Sequence, residues 1–403
     1  MFRRVRPMAR LLLAASAVPG LLHAQQPAIQ QLVDAVSADS LVWRMERLSG
    51  EAPVDVGLGD AWVLSRHQSQ PGNALAAQWL QQEFARMGYA PQAEVFGTMG
   101  ANVLAVKPGL VHPERKVVLC AHYDCMPGGL AAPGADDDGS GTCAVLEAAR
   151  LLADRPFENT VVFALWDEEE QGLVGSAYHA ASAAGNDEQI TAVINLDAIG
   201  YDGDGDGLLR IHARAVGNSM AIKDSMLLVN TLYGLDLPIA VNDPGETYSD
   251  HASFWDEGYG AILLIEDFDN DANPHYHTPN DRMQYLDTAY WRNLTRLAVG
   301  TTAAMAVPVE GAGVPEVGPG LELVVYPNPA KGSVMVRFNR GAWPALIRLT
   351  DATGRLVRQG SGTSVVPAAN TARFAVEGLA AGVYHVHVQV GAQRATKPIM
   401  VLP

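Results

Sequence analysis

The stretch Lys116–Gly141, KVVLCAHYDCMPGGLAAPGADDDGSG, decides how the rest of the chain is read. It opens on an apolar run, Val117-Val118-Leu119-Cys120-Ala121, with no polar residue to turn toward solvent on either side. Such a run reads as a strand buried on both faces. His122 and Asp124 stand at its C-terminal end, followed by a Gly/Pro-rich loop and three consecutive aspartates, Asp136-Asp137-Asp138. Gly139-Ser140-Gly141 then opens a helix over Thr142–Leu152. In open α/β sheets ligands gather outside the carboxyl ends of the strands, and imidazole with carboxylate at that edge is a donor set for a metal ion.

Working outward, the same pattern recurs. Thr160–Trp166 (TVVFALW) ends in Asp167-Glu168-Glu169-Glu170, Ala192–Leu196 (AVINL) ends at Asp197, and Ala261–Ile265 (AILLI) ends in Glu266-Asp267. Helices are expected over Ala74–Met87, Gly175–Ala184, Ser219–Leu232 and Asp287–Ala306, and a short strand over Asn102–Val106. Near-continuous apolar strands alternating with helices predict a mostly parallel sheet covered on both faces, an α/β fold with three α/β/α layers. Every strong strand delivers acid at its carboxyl end, where such sheets bind ligands. Residues 25–70 carry a helical pattern (Ile29, Leu32, Val33, Val36, then Leu41, Val42, Met45, Leu48) that fits either an ordered start or a removable pro-segment.

The bulk numbers constrain the rest. A chain of 403 residues favours more than one domain, and a net charge of −16 disfavours nucleic acid as a partner. Three cysteines, Cys120, Cys125 and Cys143, do not make a disulfide framework and read as small core residues. Arg3, Arg4, Arg6 and Arg10 followed by the apolar Leu11–Leu22 read as a secretory signal over residues 1–24, too short to span a bilayer. After a first domain over 25–306, the Pro/Gly/Val-rich stretch 307–320 reads as a linker. Short alternating strands follow in 321–403 (Leu323–Tyr326, Ser333–Phe338, Leu346–Asp351, Thr371–Val376, Gly382–Val390), with turn chemistry at Asp351–Gly354, which predicts a small all-β sandwich.

Singly, each acidic or imidazole motif has an ordinary explanation. Asp136–Gly139 fits a turn or a calcium loop, Glu168–Glu170 a helix start, Asp197 a strand-end cap, and His275-Tyr276-His277 a structural loop. Together they bring two imidazoles and at least four carboxylates to one sheet edge, and nitrogen and carboxylate donors without thiolate suit catalytic zinc. Asp202-Gly203-Asp204-Gly205-Asp206-Gly207 lacks the acid an EF-hand would need where Ala213 stands, and reads as an acidic surface loop. His385 and His387 alternate with Tyr384, Val386 and Val388 and read as the outer face of a sandwich strand. No Gly-x-Ser-x-Gly elbow and no His-Glu-x-x-His helix is present.

His122-Tyr123-Asp124, Gly134–Gly141, Trp166–Ser176, Asn195-Leu196-Asp197, Ser249-Asp250-His251 and His277-Thr278-Pro279-Asn280-Asp281 occur in the order of the secreted di-zinc aminopeptidases, and the chain resembles that bacterial leucyl-aminopeptidase-like family over most of 60–300. The resemblance implies a zinc-exopeptidase fold with two zinc ions bridged by Asp137. His122 and Asp197 would complete one site, Glu170 and His277 the other. It further implies that Glu169 is the general base acting on a metal-bridging water, that Asp124 bonds the far nitrogen of His122, that Tyr276 stabilises the oxyanion, and that the Asp137–Asp138 peptide is cis. The triple acids leave a one-residue slip open, with Asp136 as bridge or Glu168 as base, and His275 competes with His277. The flanking Gly-Ser-Gly, Gly-Leu-Val-Gly and Thr-x-x-Asp favour the assignment given.

The C-terminal Val325-Tyr326-Pro327-Asn328-Pro329, Gly378-Leu379, Gly382-Val383-Tyr384 and the Lys397-containing last strand resemble type IX secretion sorting domains, which implies export to the cell surface or medium and contact with secretion machinery. The expected substrates are peptides with a free N-terminus. The rivals on the same fold are a carboxypeptidase or dipeptidase and a glutaminyl-cyclase-like enzyme at one zinc, whose members lack the second aspartate kept here as Asp138. A rival of another class is a non-catalytic surface-binding protein, against which the complete donor set argues.

Overall fold

The structure is a computed structural model that describes residues 26–57, 59–309, 323–338, 345–351, 356–361, 365–366, 371–390 and 393–402. The signal-like segment, most of the linker and the Gly354 turn lie outside these residues.

Eight strands form the central sheet: β1 (Gln92–Phe96), β2 (Gly100–Lys107), β3 (His112–His122), β4 (Asn159–Trp166), β5 (Gln189–Leu196), β6 (Leu209–His212), β7 (Ile239–Asn242) and β8 (Ala261–Glu266). Their spatial order is β1-β2-β4-β3-β5-β8-β6-β7. The central run β4-β3-β5-β8 is parallel, and antiparallel pairings join β1, β2 and the β6-β7 pair to it. From β3 the chain goes to β4 on one side and then to β5 on the other. The carboxyl end of β3 is therefore the topological switch point, where the crevice of such a sheet lies.

The apolar runs become central strands because both of their faces are covered. Val117, Leu119 and Ala121 of β3 and Val161, Phe163 and Leu165 of β4 join the larger core, while Val118, Cys120, Val162, Ala164 and Trp166 join the opposite one. The larger core takes the helices α1 (Pro27–Asp34), α2 (Ala38–Leu48), α3 (Pro71–Arg86), α4 (Gly139–Leu152), α6 (Ser219–Leu232) and α8 (Thr288–Ala306). The smaller takes α5 (Val174–Gly185) and α7 (His251–Asp256). This is the three-layer α/β/α arrangement expected. The strand expected over Asn102–Val106 is β2, paired antiparallel; the short strands β6 and β7 were not foreseen, since they have only four residues each and too little periodicity to register.

The helical pattern near the N-terminus belongs to this core. Ile29, Leu32, Val33, Val36, Leu41, Met45 and Leu48 are all buried in the larger cluster. Ser37 caps α2 by accepting the Ser40 N–H (3.2 Å), and Arg292 and Arg296 of α8 donate to the Val36 and Val33 carbonyls. The buried Glu147 accepts from Ser37, Ser40, Arg44 and Arg150 at 2.5–3.0 Å. Burial alone would raise its carboxyl, but the two guanidinium groups outweigh it and hold it below the usual range. Leu41→Ala should therefore cost about 2–5 kcal/mol in a chemical-denaturation titration, as for any fully packed core leucine. A loss under 1 kcal/mol would mean that these helices are detachable.

The C-terminal strands are β9 (Leu323–Tyr326), β10 (Ser333–Phe338), β11 (Ala345–Asp351), β12 (Leu356–Ser361), β13 (Val365–Val366), β14 (Thr371–Ala375), β15 (Gly382–Val390) and β16 (Gln393–Val401). They make two antiparallel four-stranded sheets, β9-β10-β14-β13 and β12-β11-β15-β16, around Val334, Val336, Ile347, Leu349, Val386 and Val388. His387 faces outward as its alternation requires, bonding Thr350 and Thr396 hydroxyls at 2.9 Å each.

Candidate metal centre and active site

The strand ends deliver side chains to the crevice in the order of the sequence. His122 is the last residue of β3, the Asp167–Glu170 turn follows β4, Asp197 follows β5, and His277 lies in the long connection from β8 to α8. His122 Nε2 lies 3.2 Å from Asp137 Oδ1 and 3.7 Å from Asp197 Oδ1. His277 Nε2 lies 3.0 Å from Asp137 Oδ2 and 2.9 Å from Glu170 Oε2. The donors thus form two sets of three, His122–Asp137–Asp197 and Asp137–Glu170–His277, each with its ligand atoms within 4.8 Å of one another. Asp137 belongs to both and turns one oxygen to each histidine.

This arrangement fits metal ions. Donors about 2 Å from a tetrahedral zinc stand roughly 3 Å apart. Asp137 Oδ2, Glu170 Oε1 and His277 Nε2 are buried atoms that make no well-formed hydrogen bond in the protein, which is costly unless a cation satisfies them. Burial alone would raise the Asp137 carboxyl, but the imidazoles of His122 and His277 beside it hold it below the ordinary range. Burial favours the neutral form of His277, yet Asp137 and Glu170 raise its imidazole to about 10. Glu170 itself is pushed up to about 7 by burial and then by Asp137.

The runs of three acids sort themselves by backbone geometry. Asp136 points away from the crevice and accepts from Gly200 N–H (2.9 Å) and Asn273 Nδ2 (2.8 Å). Asp138 caps α4, accepting the N–H groups of Gly141 (2.8 Å) and His122 (3.2 Å), and the Asp137–Asp138 peptide is cis. Only Asp137 faces both imidazoles. Among the glutamates, Glu168 adopts φ +58° and lines a separate cavity of about 260 Å³ with Gln68, Asn73 and Met99. Glu169 is buried with Oε2 3.9 Å from His122 Nε2, and burial pushes its carboxyl well up. His275 turns away and stacks on Tyr285, ring centroids 3.9 Å apart.

Asp124 is buried behind the two donor sets. It lies 3.3 Å from His122 Nδ1 and accepts the backbone N–H groups of Glu169 (3.1 Å) and Glu170 (3.3 Å). One buried carboxylate therefore stands beside the imidazole and fixes the turn that carries both glutamates. Asp281, also buried, accepts the N–H groups of Asp136 (3.0 Å) and Asp137 (3.1 Å), tying the connection that bears His277 to the loop that bears Asp137.

Beside the two donor sets opens a cleft of about 650 Å³ whose walls include Leu173, Tyr248, Ile265, Phe268 and Tyr276. Tyr276 stacks on His277 at 3.8 Å and meets the Phe268 ring edge-on at 5.0 Å. Burial and the surrounding carboxylates push its phenol well above the ordinary range, so it is a neutral donor. The sequence reading missed Tyr248, Phe268 and Ile265; the place of Tyr248 directly before the Ser249-Asp250-His251 motif was the available signal. The three thiols are buried and belong to no metal-ligand group among the described residues. Burial raises the Cys125 thiol to about 11 and the Cys143 thiol to about 12. Asp202, Asp204 and Asp206 cluster on an exposed loop whose own N–H groups they accept.

Residues 102–302 match the model of peptidase family M28, and residues 324–402 match the secretion system C-terminal sorting domain. Leucine aminopeptidase 1 of Emericella nidulans is 28% identical over 266 residues, covering 60% of this chain and 67% of that protein. Leucine aminopeptidase 1 of Ajellomyces dermatitidis is 32% identical over 220 residues, covering 51% of this chain and 56% of that one. The chain spans little more than half the length of most of the curated relatives it matches. LapA of Legionella pneumophila superposes with a TM-score of 0.59 at 23% identity, over 69% of this chain and 75% of that one. Glutaminyl cyclase of Porphyromonas gingivalis superposes with a TM-score of 0.52 at 21% identity, over 66% and 97%. Fold, donor arrangement and sequence agree on one class, an α/β/α fold with a candidate metal centre at its strand ends. The region 102–302 of the chain belongs to peptidase family M28. Its sandwich is a secretion sorting module, a mark of export or cell-surface display, and no helix among the described residues is long and apolar enough to cross a membrane.

Proposed function

We propose that the chain is an exported zinc-dependent aminopeptidase that removes apolar N-terminal residues from peptides. The observation that carries this reading is the pair of donor sets sharing Asp137, with Glu169 buried beside them and bound into neither. His122, Asp137 and Asp197 would hold one zinc ion, and Asp137, Glu170 and His277 the second. Two such ions, when bound, would supply Lewis acidity toward a scissile carbonyl and would acidify bound water.

The residues of the chain do the rest. Glu169 takes a proton from the attacking water and returns it to the leaving amine; its raised carboxyl suits a base that must also act as an acid. Tyr276 donates its phenolic proton toward the developing oxyanion. Asp124 keeps His122 and the Glu169–Glu170 turn in register. Leu173, Ile265 and Phe268 offer an apolar wall to the first side chain, in keeping with relatives named leucine aminopeptidases. The free N-terminus and the secretion machinery are the expected partners.

The test is hydrolysis of a panel of aminoacyl anilides before and after chelation, with zinc added back. Turnover on free-amine leucyl and other apolar substrates, lost with chelator and restored by zinc, is the expected result. Turnover confined to N-blocked or C-terminal substrates would overturn the aminopeptidase assignment and leave the metal centre standing.

A further inference from the structure

Arg66 is completely buried, and among the described residues no carboxylate forms an ion pair with it. Its donors go to backbone carbonyls instead. Nε donates to Tyr123 O (2.6 Å), Nη1 to Leu48 O (3.0 Å) and Pro133 O (2.5 Å), and Nη2 to Gly134 O (2.8 Å). Its main chain is anchored as well: Arg66 N–H donates to Cys125 Sγ at 3.3 Å, and its carbonyl accepts from Asn73 Nδ2 at 2.9 Å.

A buried guanidinium facing only carbonyls is an expensive choice, because desolvating the cation is offset by dipoles rather than by a counter-charge. What it joins gives the reason. Tyr123 lies between His122 and Asp124. Pro133 and Gly134 begin the loop that delivers Asp137, and Leu48 ends α2. The same loop is held from its amide side by the Asp281 carboxylate, which accepts the Asp136 and Asp137 N–H groups. Loop carbonyls point to a cation and loop amides to an anion, so the short segment between them has little freedom left.

We propose that Arg66 is a positioning residue of the metal centre, setting the distance between the carboxyl end of β3 and the loop that presents Asp137. This inference rests on the ligand assignment under Proposed function. The planar fork reaches four carbonyls in three directions at once; a lysine ammonium, with three donors on one atom, cannot. The effect reaches the ions only through the backbone at 123 and 133–134, so Arg66 itself touches neither substrate nor reacting atoms.

The experiment compares the full chain with Arg66→Lys and, as a stability control, Arg44→Lys, which alters a buried arginine paired with Glu147 of α4 at 3.0 Å. Zinc affinity and stoichiometry are read by competition with a chromophoric chelator, the Co(II) absorption spectrum reports ligand geometry, and thermal melting reports stability. Loss of outer supports of this kind typically weakens metal binding about 10- to 100-fold. R66K should show that loss, an altered Co(II) spectrum, and a lower kcat with little change in KM, whereas R44K should lower the melting temperature alone. R66K with parental zinc affinity and Co(II) spectrum would overturn the inference and make Arg66 an ordinary structural tie. An unsubstituted chain that takes up no second zinc would instead overturn the ligand assignment, and this inference with it.

If R66K yields no folded protein, the unsubstituted chain labelled with 15N-arginine decides. Coupling between clamp and metal is reciprocal, so zinc should slow hydrogen exchange at Arg66 Nε. Exchange that is the same with and without zinc would overturn the proposal.

Discussion

Glu169→Gln should lower kcat by about 10³-fold while the protein still binds two zinc ions and melts as the parent does, because general acid–base groups typically contribute 10²–10⁴-fold. The expectation follows from place. Glu169 is buried beside His122, but it belongs to neither donor set. Its neighbour Glu170 meets His277 at 2.9 Å, whereas the Glu169 carboxylate stays 3.9 Å from His122 Nε2. The amide of glutamine keeps the volume and the main-chain bond to Asp124 and removes only the proton acceptor. Metal analysis with kinetics on a leucyl anilide checks it. Full turnover in E169Q would sink the proposed mechanism, and loss of zinc would make Glu169 a ligand.

The second large effect belongs to Asp137. Asp137→Asn should reduce bound zinc from two ions to one or none and lower kcat/KM by about 10³-fold, the equivalent of roughly 4 kcal/mol of transition-state stabilisation. An amide offers one neutral oxygen where the carboxylate presents Oδ1 to His122 at 3.2 Å and Oδ2 to His277 at 3.0 Å. The change should also be visible without metal. His277 is raised to about 10 because Asp137 and Glu170 outweigh the effect of burial. Removing one of the two anions favours the neutral imidazole, so His277 must titrate lower in metal-free D137N than in the metal-free parent. Histidine NMR titrations with chelator present test the sign. Asp136→Asn, one residue away, should keep both ions, since that carboxylate faces Gly200 and Asn273.

Much of this was legible along the chain. The central strands β3, β4, β5 and β8 were marked by continuous apolar runs, and each ends next to an acid or imidazole. The long helices carried their periodicity, and α6 begins and ends at the residues its pattern gives, Ser219 and Leu232. The edges were less readable. The four-residue strands β6 and β7 and the six-residue helix α7 are too short for a period to accumulate, and their hydrogen bonds are made with distant segments. The pro-segment alternative for residues 25–70 was likewise open in sequence, whereas in the fold Ile29, Leu41 and Met45 are part of the main core.

What the sequence by itself determined was the alternation of buried strands and helices, the kinds of donor at their carboxyl ends, and the order in which they arrive. Those properties are local, carried by side-chain chemistry and by repeats of two and of three to four residues. What only the tertiary structure decided was that, of three consecutive aspartates and three consecutive glutamates, Asp137, Glu169 and Glu170 face the crevice. It also decided that Tyr248 and Phe268 wall the crevice, and that Arg66 and Asp281 grip one loop from its two sides. Neighbours with the same side chain differ only in the direction their backbone gives them. That direction is set by contacts with residues far away in the chain, Asp281 on the Asp136 and Asp137 N–H groups and Asp124 on those of Glu169 and Glu170.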